Sequence, residues 1–339
     1  MNILSKLNSF SVMKIKEPVI LIISAALLSF SFAGAAQNLS DLPIDESSGV
    51  IYDNDDTRDV YTDEYLLALS HLGDIDLKGI ITTYAANDDE YRLFVKQREE
   101  IVEKARRSGL TNLPKVFPGT NKRLKKPASN TIEDTKPLDI PGSRFIVEQA
   151  KKATPVHPLV IVSGGQLTAV ANAWLLDPSI GDRVIVAGVF GVRQMDYNAG
   201  LDGWAWKIVL SGFRVLGVPF GTPGDRGEVY MKPPVVPKIR IKSELPQSLP
   251  LFEWMFKKHH PSNPAPDGHD YDGQPAIPLV RPDYITKVKR WRVKGIDSNG
   301  ELILREDPQG PIFEALQAKQ KVATEEFWRA MKAAARSVK

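Results

Sequence analysis

The stretch Val50-Ile-Tyr-Asp53-Asn-Asp55-Asp56-Thr57-Arg58-Asp59-Val-Tyr-Thr-Asp63-Glu64 sets six carboxylates within twelve residues, between an apolar run and the helix-like pattern Tyr65-Leu-Leu-Ala-Leu-Ser-His-Leu. So many like charges in one strand-to-helix turn require a positive group among them. Hard divalent cations such as Ca2+ and Mg2+ bind through clustered carboxylates and carbonyls, which makes a cation the simplest partner for this turn.

Outward from it, strand-like and helix-like segments alternate. Residues 77–84 are β-rich, 90–108 carry a charged helix pattern, 144–152 read as helix and 159–162 as a short, fully apolar strand. Residues 166–176 form a helix pattern ended by Asp177-Pro178, 183–190 a second buried strand, 204–210 a helix and 213–218 a strand. Short continuous apolar strands separated by helices predict an α/β fold: a mostly parallel central sheet with helices on both faces and a Rossmann-like core. Ligands in such sheets bind beyond the carboxyl ends of the strands. Asp53 and Asp55 follow the first strand, Asn87 the second, Ser163-Gly164-Gly165 the strand at 159, and Asp196 with Asn198 the strand at 184. All fall on one rim. Taken singly, each also reads as a helix cap or turn former.

The N-terminus is expected to be removed. Lys14 and Lys16 precede the apolar run Val19 to Phe32, and Ala33-Gly34-Ala35-Ala36 follows, which is the order of a secretory signal. The run is shorter than the roughly 20 residues a spanning helix needs, so no stable membrane anchor is expected. Residues 1–36 are thus read as a signal peptide and 37–339 as the working domain of an exported, periplasmic or secreted protein. Cysteine is absent, so no disulfide framework exists. The net charge of +3 includes the signal lysines and gives no argument for a nucleic-acid partner.

Residues 219–283 are rich in proline and glycine and contain Gly268-His269-Asp270-Tyr271-Asp272-Gly273, and long loops of this kind tend to be functional or mobile. Beyond them, Asp297-Ser-Asn-Gly300 is a turn between two strands, 288–296 and 302–304. Residues 311–339 read as a cationic amphipathic helical extension, packing Phe313, Leu316, Phe327 and Met331 on the domain.

The acidic turn, the segment Ser163-Gly-Gly-Gln-Leu-Thr168 with Leu176-Asp-Pro178, Asp196-Tyr-Asn198 with Asp202, and Asp272 resemble, in order, the successive motifs of the inosine/uridine-preferring nucleoside hydrolases. The resemblance runs from about Val50 to about Asp283 and implies that family's fold and activity: Ca2+-dependent hydrolysis of the N-glycosidic bond of ribonucleosides or related N-ribosyl compounds. A small molecule is then the partner, and a homo-oligomer is compatible with the sequence. Asp53-x-Asp55 matches the first half of the family's DxDxxxDD turn, which makes Asp55 both metal ligand and general base. For the second half, spacing selects Asp59, whereas the helix start selects Asp63 and Glu64 after an insertion. Asp63 and Glu64 are preferred because the pair belongs at a helix N-terminus, where Thr62 is a plausible cap. Asp59 is then a neighbouring metal ligand or a group just behind the ligands, on the substrate-binding side. The resemblance further implies the Ser163 carbonyl and Asp272 as metal ligands, and Asn87, Asp196 and Asn198 as holders of ribose hydroxyls. Tyr271 stands where the family often has a leaving-group histidine, and His269, two residues earlier, is the substitute.

Two other classes fit parts of the pattern. Asp53-x-Asp55-Asp56-Thr57 also matches the nucleophile turn of haloacid-dehalogenase-like phosphatases, with Asp53 as nucleophile. A non-catalytic periplasmic binding protein for nucleosides or ribose would use the same scaffold.

Overall fold

Val50, Ile51 and Tyr52 are β-prone and wholly buried, and they form β1 (Gly49–Asn54) in the interior of the sheet. The structure, a computed structural model, describes residues 39–45, 47–57, 61–219, 232–257 and 268–338. The expected signal segment 1–36 and Asp59 lie outside the described residues. No helix among the described residues is long and apolar enough to cross a membrane.

After β1 come α1 (Thr62–Leu72), β2 (Asp76–Thr82), α2 (Asp88–Arg107), β3 (Lys115–Pro118), α3 (Pro141–Ala150), β4 (Leu159–Ser163) and α4 (Thr168–Leu176). They are followed by β5 (Val184–Gly188), α5 (Tyr197–Leu201), α6 (Gly203–Gly212), β6 (Arg214–Gly217), α7 (Lys238–Glu244), α8 (Pro250–Lys257) and α9 (Ile277–Val280). The chain ends with β7 (Ile285–Ile296), β8 (Leu302–Glu306), β9 (Ile312–Ala318) and α10 (Gln320–Ser337). The nine strands lie in the order β3-β2-β1-β4-β5-β6-β9-β7-β8. Neighbours from β3 to β9 run parallel, and β7 is antiparallel to both β8 and β9.

Alternate residues of the central strands feed two cores. Val50, Tyr52, Val160 and Val162 pack with α1, α8 and α10, where the Tyr65 and Phe327 rings stack at 5.4 Å. Ile51, Ile161 and Val186 pack with α3, α4 and α6. This is the expected α/β architecture. The strand order reverses between β1 and β4, the switch point at which open parallel sheets bind ligands. Register aligns Asp53 with Ser163, Ser163 with Gly188, Gly188 with Gly217 and Gly217 with Glu314, so one row of residues crosses the sheet near the carboxyl ends.

The C-terminal segment departs from expectation. Ile312–Ala318 is a strand, and only Gln320–Ser337 is helical. Ile312 enters one core while Phe313 and Ala315 enter the other, a period of two that a mixed apolar segment satisfies only when it is paired on both edges.

Candidate active site

The β1–α1 turn is built around buried polar atoms. Asp53 is wholly buried; its Oδ1 accepts from Thr83 Oγ1 at 2.7 Å, and its Oδ2 has no hydrogen-bond partner. Burial pushes the Asp53 carboxyl up to about 7; the Thr83 hydrogen bond and the Arg98 charge oppose this, and the Asp55 charge adds to it. Asn54 Oδ1 accepts from the Asp55 amide at 2.8 Å, and Asn54 Nδ2 donates to Asp272 Oδ2 at 2.9 Å across 218 residues of sequence. Asp55 Oδ1 accepts from the Asp56 amide at 2.6 Å.

The glycine pair after β4 fills the space between these acids. A Cβ at Gly164 would stand 2.5 Å from Asp272 Cγ, and one at Gly165 2.9 Å from Asp55 Cγ. Asp55 and Asp272 therefore lie on the same rim, each against one glycine of the pair. The late loop is anchored there a second time, because Asp270 Oδ1 accepts from the Tyr61 amide at 3.1 Å and from Thr62 Oγ1 at 2.6 Å. Thr62 thus serves the loop; the residue capping α1 is Tyr61, with no side-chain cap.

A guanidinium lies within the turn. Arg98, on α2, is wholly buried and forms an ion pair with Asp63 Oδ1 at 3.2 Å. It also donates to the carbonyls of Asn54, Asp55 and Asp56 at 3.0, 3.2 and 3.1 Å and to Thr82 Oγ1 at 3.0 Å. Arg98 is a positive group of the kind the acidic turn requires, and the sequence reading did not name it. Its signal was present: Arg98 falls on the inward stripe Phe94, Ile101, Val102 and Ala105 of α2, where an apolar residue is expected.

The remaining candidates are distributed around the same rim. Asp63 has one oxygen on Arg98, while its Oδ2 is buried without a hydrogen-bond partner; Glu64 is buried in the first turn of α1. The Ser163 carbonyl accepts from the Val189 amide at 2.9 Å, and its Oγ is a further buried atom lacking a hydrogen bond. Asn198 Nδ2 donates to the carbonyls of Gly164 at 2.7 Å and Val189 at 2.8 Å, tying the β4 and β5 loops together and leaving Oδ1 for a ligand. Asp196 caps α5, and Asn87 caps α2 by accepting from the Asp89 and Glu90 amides at 2.9 and 3.1 Å. For Asn87 the acceptor oxygen is committed to this cap. His269 makes an isolated bridge to Val235, and its ring lies 5.7 Å from that of Tyr271.

Two further residues frame the site. Tyr84 Oη donates to Glu90 at 2.9 Å; burial, this bond and the nearby charges, Asp55 among them, push the hydroxyl up to about 12, so it stays a donor. Asp202 accepts from Thr168 Oγ1 at 2.6 Å, the Leu124 amide at 2.8 Å and the Ala205 amide at 3.1 Å, capping α6 and tying its start to the start of α4 and to the loop at Leu124.

The donors suit a hard cation in kind, since all are oxygens and two carboxylate oxygens, on Asp53 and Asp63, are buried without a hydrogen bond. Among the described residues, no group of three or more His, Cys, Asp or Glu side chains is placed so that it could hold a metal ion as it stands.

No family model and no curated protein matches the sequence. Solved structures do. The purine-preferring ribonucleoside hydrolase from Gardnerella vaginalis matches at 17% identity and a TM-score of 0.58, covering 86% of this chain and 100% of that one. The inosine-uridine preferring nucleoside hydrolase from Bacillus anthracis matches at 13% identity and a TM-score of 0.55, covering 84% and 99%. The type III effector protein XopQ, solved with adenosine diphosphate ribose, matches at 14% identity and a TM-score of 0.56, covering 87% and 95%. The chain has the nucleoside hydrolase fold, with a divergent sequence.

Proposed function

We propose that this protein hydrolyses the N-glycosidic bond of ribonucleosides or related N-ribosyl compounds, releasing ribose and the base. The observation that carries the reading is the meeting of Asp55 and Asp272 across the Gly164–Gly165 pair at the switch point of the sheet. The fold shared with the Gardnerella and Bacillus hydrolases supports it. The effector solved with adenosine diphosphate ribose supports extending the substrate class beyond simple nucleosides.

Cleavage develops an oxocarbenium-like sugar, so carboxylates facing the ribose stabilise its positive charge. Asp55, 8% exposed, takes the proton of the attacking water. Asp196 and the free Oδ1 of Asn198 hold sugar hydroxyls, and His269 and Tyr271 are the residues assigned to the leaving base. Asp53, Asp55, Asp272 and the Ser163 carbonyl are the groups that would hold Ca2+, with Asp63 and Glu64, in the first turn of α1, as the further candidates. A bound Ca2+ supplies a fixed charge that orients the attacking oxygen and the sugar diol. Asp53, the nucleophile of the phosphatase reading, is wholly buried, which favours Asp55 as the reacting carboxylate. The segment 1–36 is proposed to export the chain.

A reducing-sugar assay over a panel of nucleosides and N-ribosyl compounds, with and without EDTA, tests the reading. Turnover that EDTA abolishes is expected, with Asp55→Asn lowering kcat by about 10²–10⁴-fold. Tight ribose binding without turnover would replace the enzyme with the binding-protein reading.

A further inference from the structure

Arg98 lies deeper than an ion pair alone requires. A planar guanidinium presents its donors in a fixed fork, and here that fork reaches three successive peptide carbonyls, those of Asn54, Asp55 and Asp56, as well as Asp63 and Thr82. These carbonyls lie where the chain leaves β1, and Arg98 supplies donors for them from a wholly buried position. Fixing three consecutive peptide planes fixes the path of the backbone, and with it the direction in which the Asp55 side chain leaves toward Gly165. The Arg98 Cζ also lies 5.6 Å from the centroid of the Tyr52 ring, which packs the guanidinium from a second strand residue. Lysine, a point charge on a flexible stem, cannot reproduce this arrangement.

We propose that Arg98 is a positioning residue that holds the Asn54–Asp56 turn, and through it the Asp55 carboxylate, in its working orientation with or without a bound metal ion. The role of Asp55 in this statement rests on the hydrolase reading; the rigidity of the turn does not. A cation would then meet donors already arranged, and chelation would remove the ion without unravelling the turn.

Two variants keep the net charge: Arg98→Lys, which leaves every candidate metal ligand in place and is read by Ca2+ affinity and exchange, and Arg98→Met combined with Asp63→Leu, which removes a candidate ligand and is read by exchange alone. In EDTA, amide hydrogen exchange at residues 54–57 should be protected in the wild type and accelerate at least about tenfold in Arg98→Lys, with the β4 and β5 amides unchanged. Calorimetric titration with Ca2+ should show affinity at least about tenfold weaker, and for any N-riboside turned over kcat should fall with KM nearly unchanged. The double variant should match Arg98→Lys in exchange; should it not fold, the single variant decides. Rapid exchange of the wild-type turn in EDTA would overturn the proposal, and so would unaltered exchange and Ca2+ affinity in Arg98→Lys. If the wild type hydrolyses no N-riboside and binds no Ca2+, the hydrolase reading fails while the exchange comparison still decides the role of Arg98.

Discussion

Substituting Gly164 with alanine tests the meeting of the two halves of the site directly. The added Cβ would stand 2.5 Å from both Cβ and Cγ of Asp272 and 2.8 Å from Asn54 Oδ1, whereas ordinary contact begins near 3.4 Å. Relief therefore needs a displacement of roughly 1 Å, and a misplacement of that size in a reacting constellation costs on the order of 10²-fold in rate. Asp272 cannot yield freely, because Asn54 holds it at 2.9 Å and Asp270 ties its loop to Tyr61 and Thr62. The strain should lower stability by about 1–3 kcal/mol, as for overpacked cores. Thermal unfolding, Ca2+ titration and kcat/KM on the best N-riboside are the measurements. Gly200→Ala is the control, since its Cβ would meet nothing within 4 Å. Wild-type stability, Ca2+ affinity and kcat/KM in Gly164→Ala would refute the placement of Asp272 against the glycine pair, as would an equal loss in the control.

Other outcomes follow from the same site. Asp53 titrates near 7 in the folded protein, raised by burial from 3.8, so the folded chain binds more protons than the unfolded chain between those values. Its contribution to stability is therefore present at acid pH and lost as pH rises from about 4 to 7, by up to about 4 kcal/mol. Denaturant unfolding in EDTA at the two ends of that window should show the loss in the wild type and a smaller one in Asp53→Asn; equal losses would rule Asp53 out as the source. Asn198→Ala removes two donors from the buried carbonyls of Gly164 and Val189, and a loss of about 1–3 kcal/mol is expected. A change below about 0.5 kcal/mol, the level of an ordinary surface substitution, would show that this tie between the loops is dispensable.

The parallel sheet was legible because its strands are short, continuous and apolar, and the rim followed from the rule that ligands lie beyond strand ends. Asp55 and Asp272 could be expected together only through a resemblance of motif order, since so long an intervening chain carries no distance information; Asn54, next to Asp55, is 218 positions from Asp272. Arg98 was hidden by a habit of reading charge on a helix as exposure, although its place on the buried stripe of α2 marked it. Asn87 illustrates the opposite case: the helix-cap role that the sequence left open beside the motif position is the one its side chain fills, as asparagine before a helix ordinarily does. β9 was missed because Ile312–Ala318 mixes apolar and polar residues, and its pairing depends on β6 and β7, which lie elsewhere in the chain.

That last strand has a bearing on biogenesis. Among the described residues, β9 is the sole strand joining the β7–β8 hairpin to the parallel sheet, and it is synthesised after every other strand of that sheet. Until it emerges, β6 presents an open edge to any passing chain, a hazard in crowded surroundings. A nascent chain interrupted before Ile312 would thus expose an unsealed sheet edge, so the parallel sheet closes only once β9 has left the ribosome.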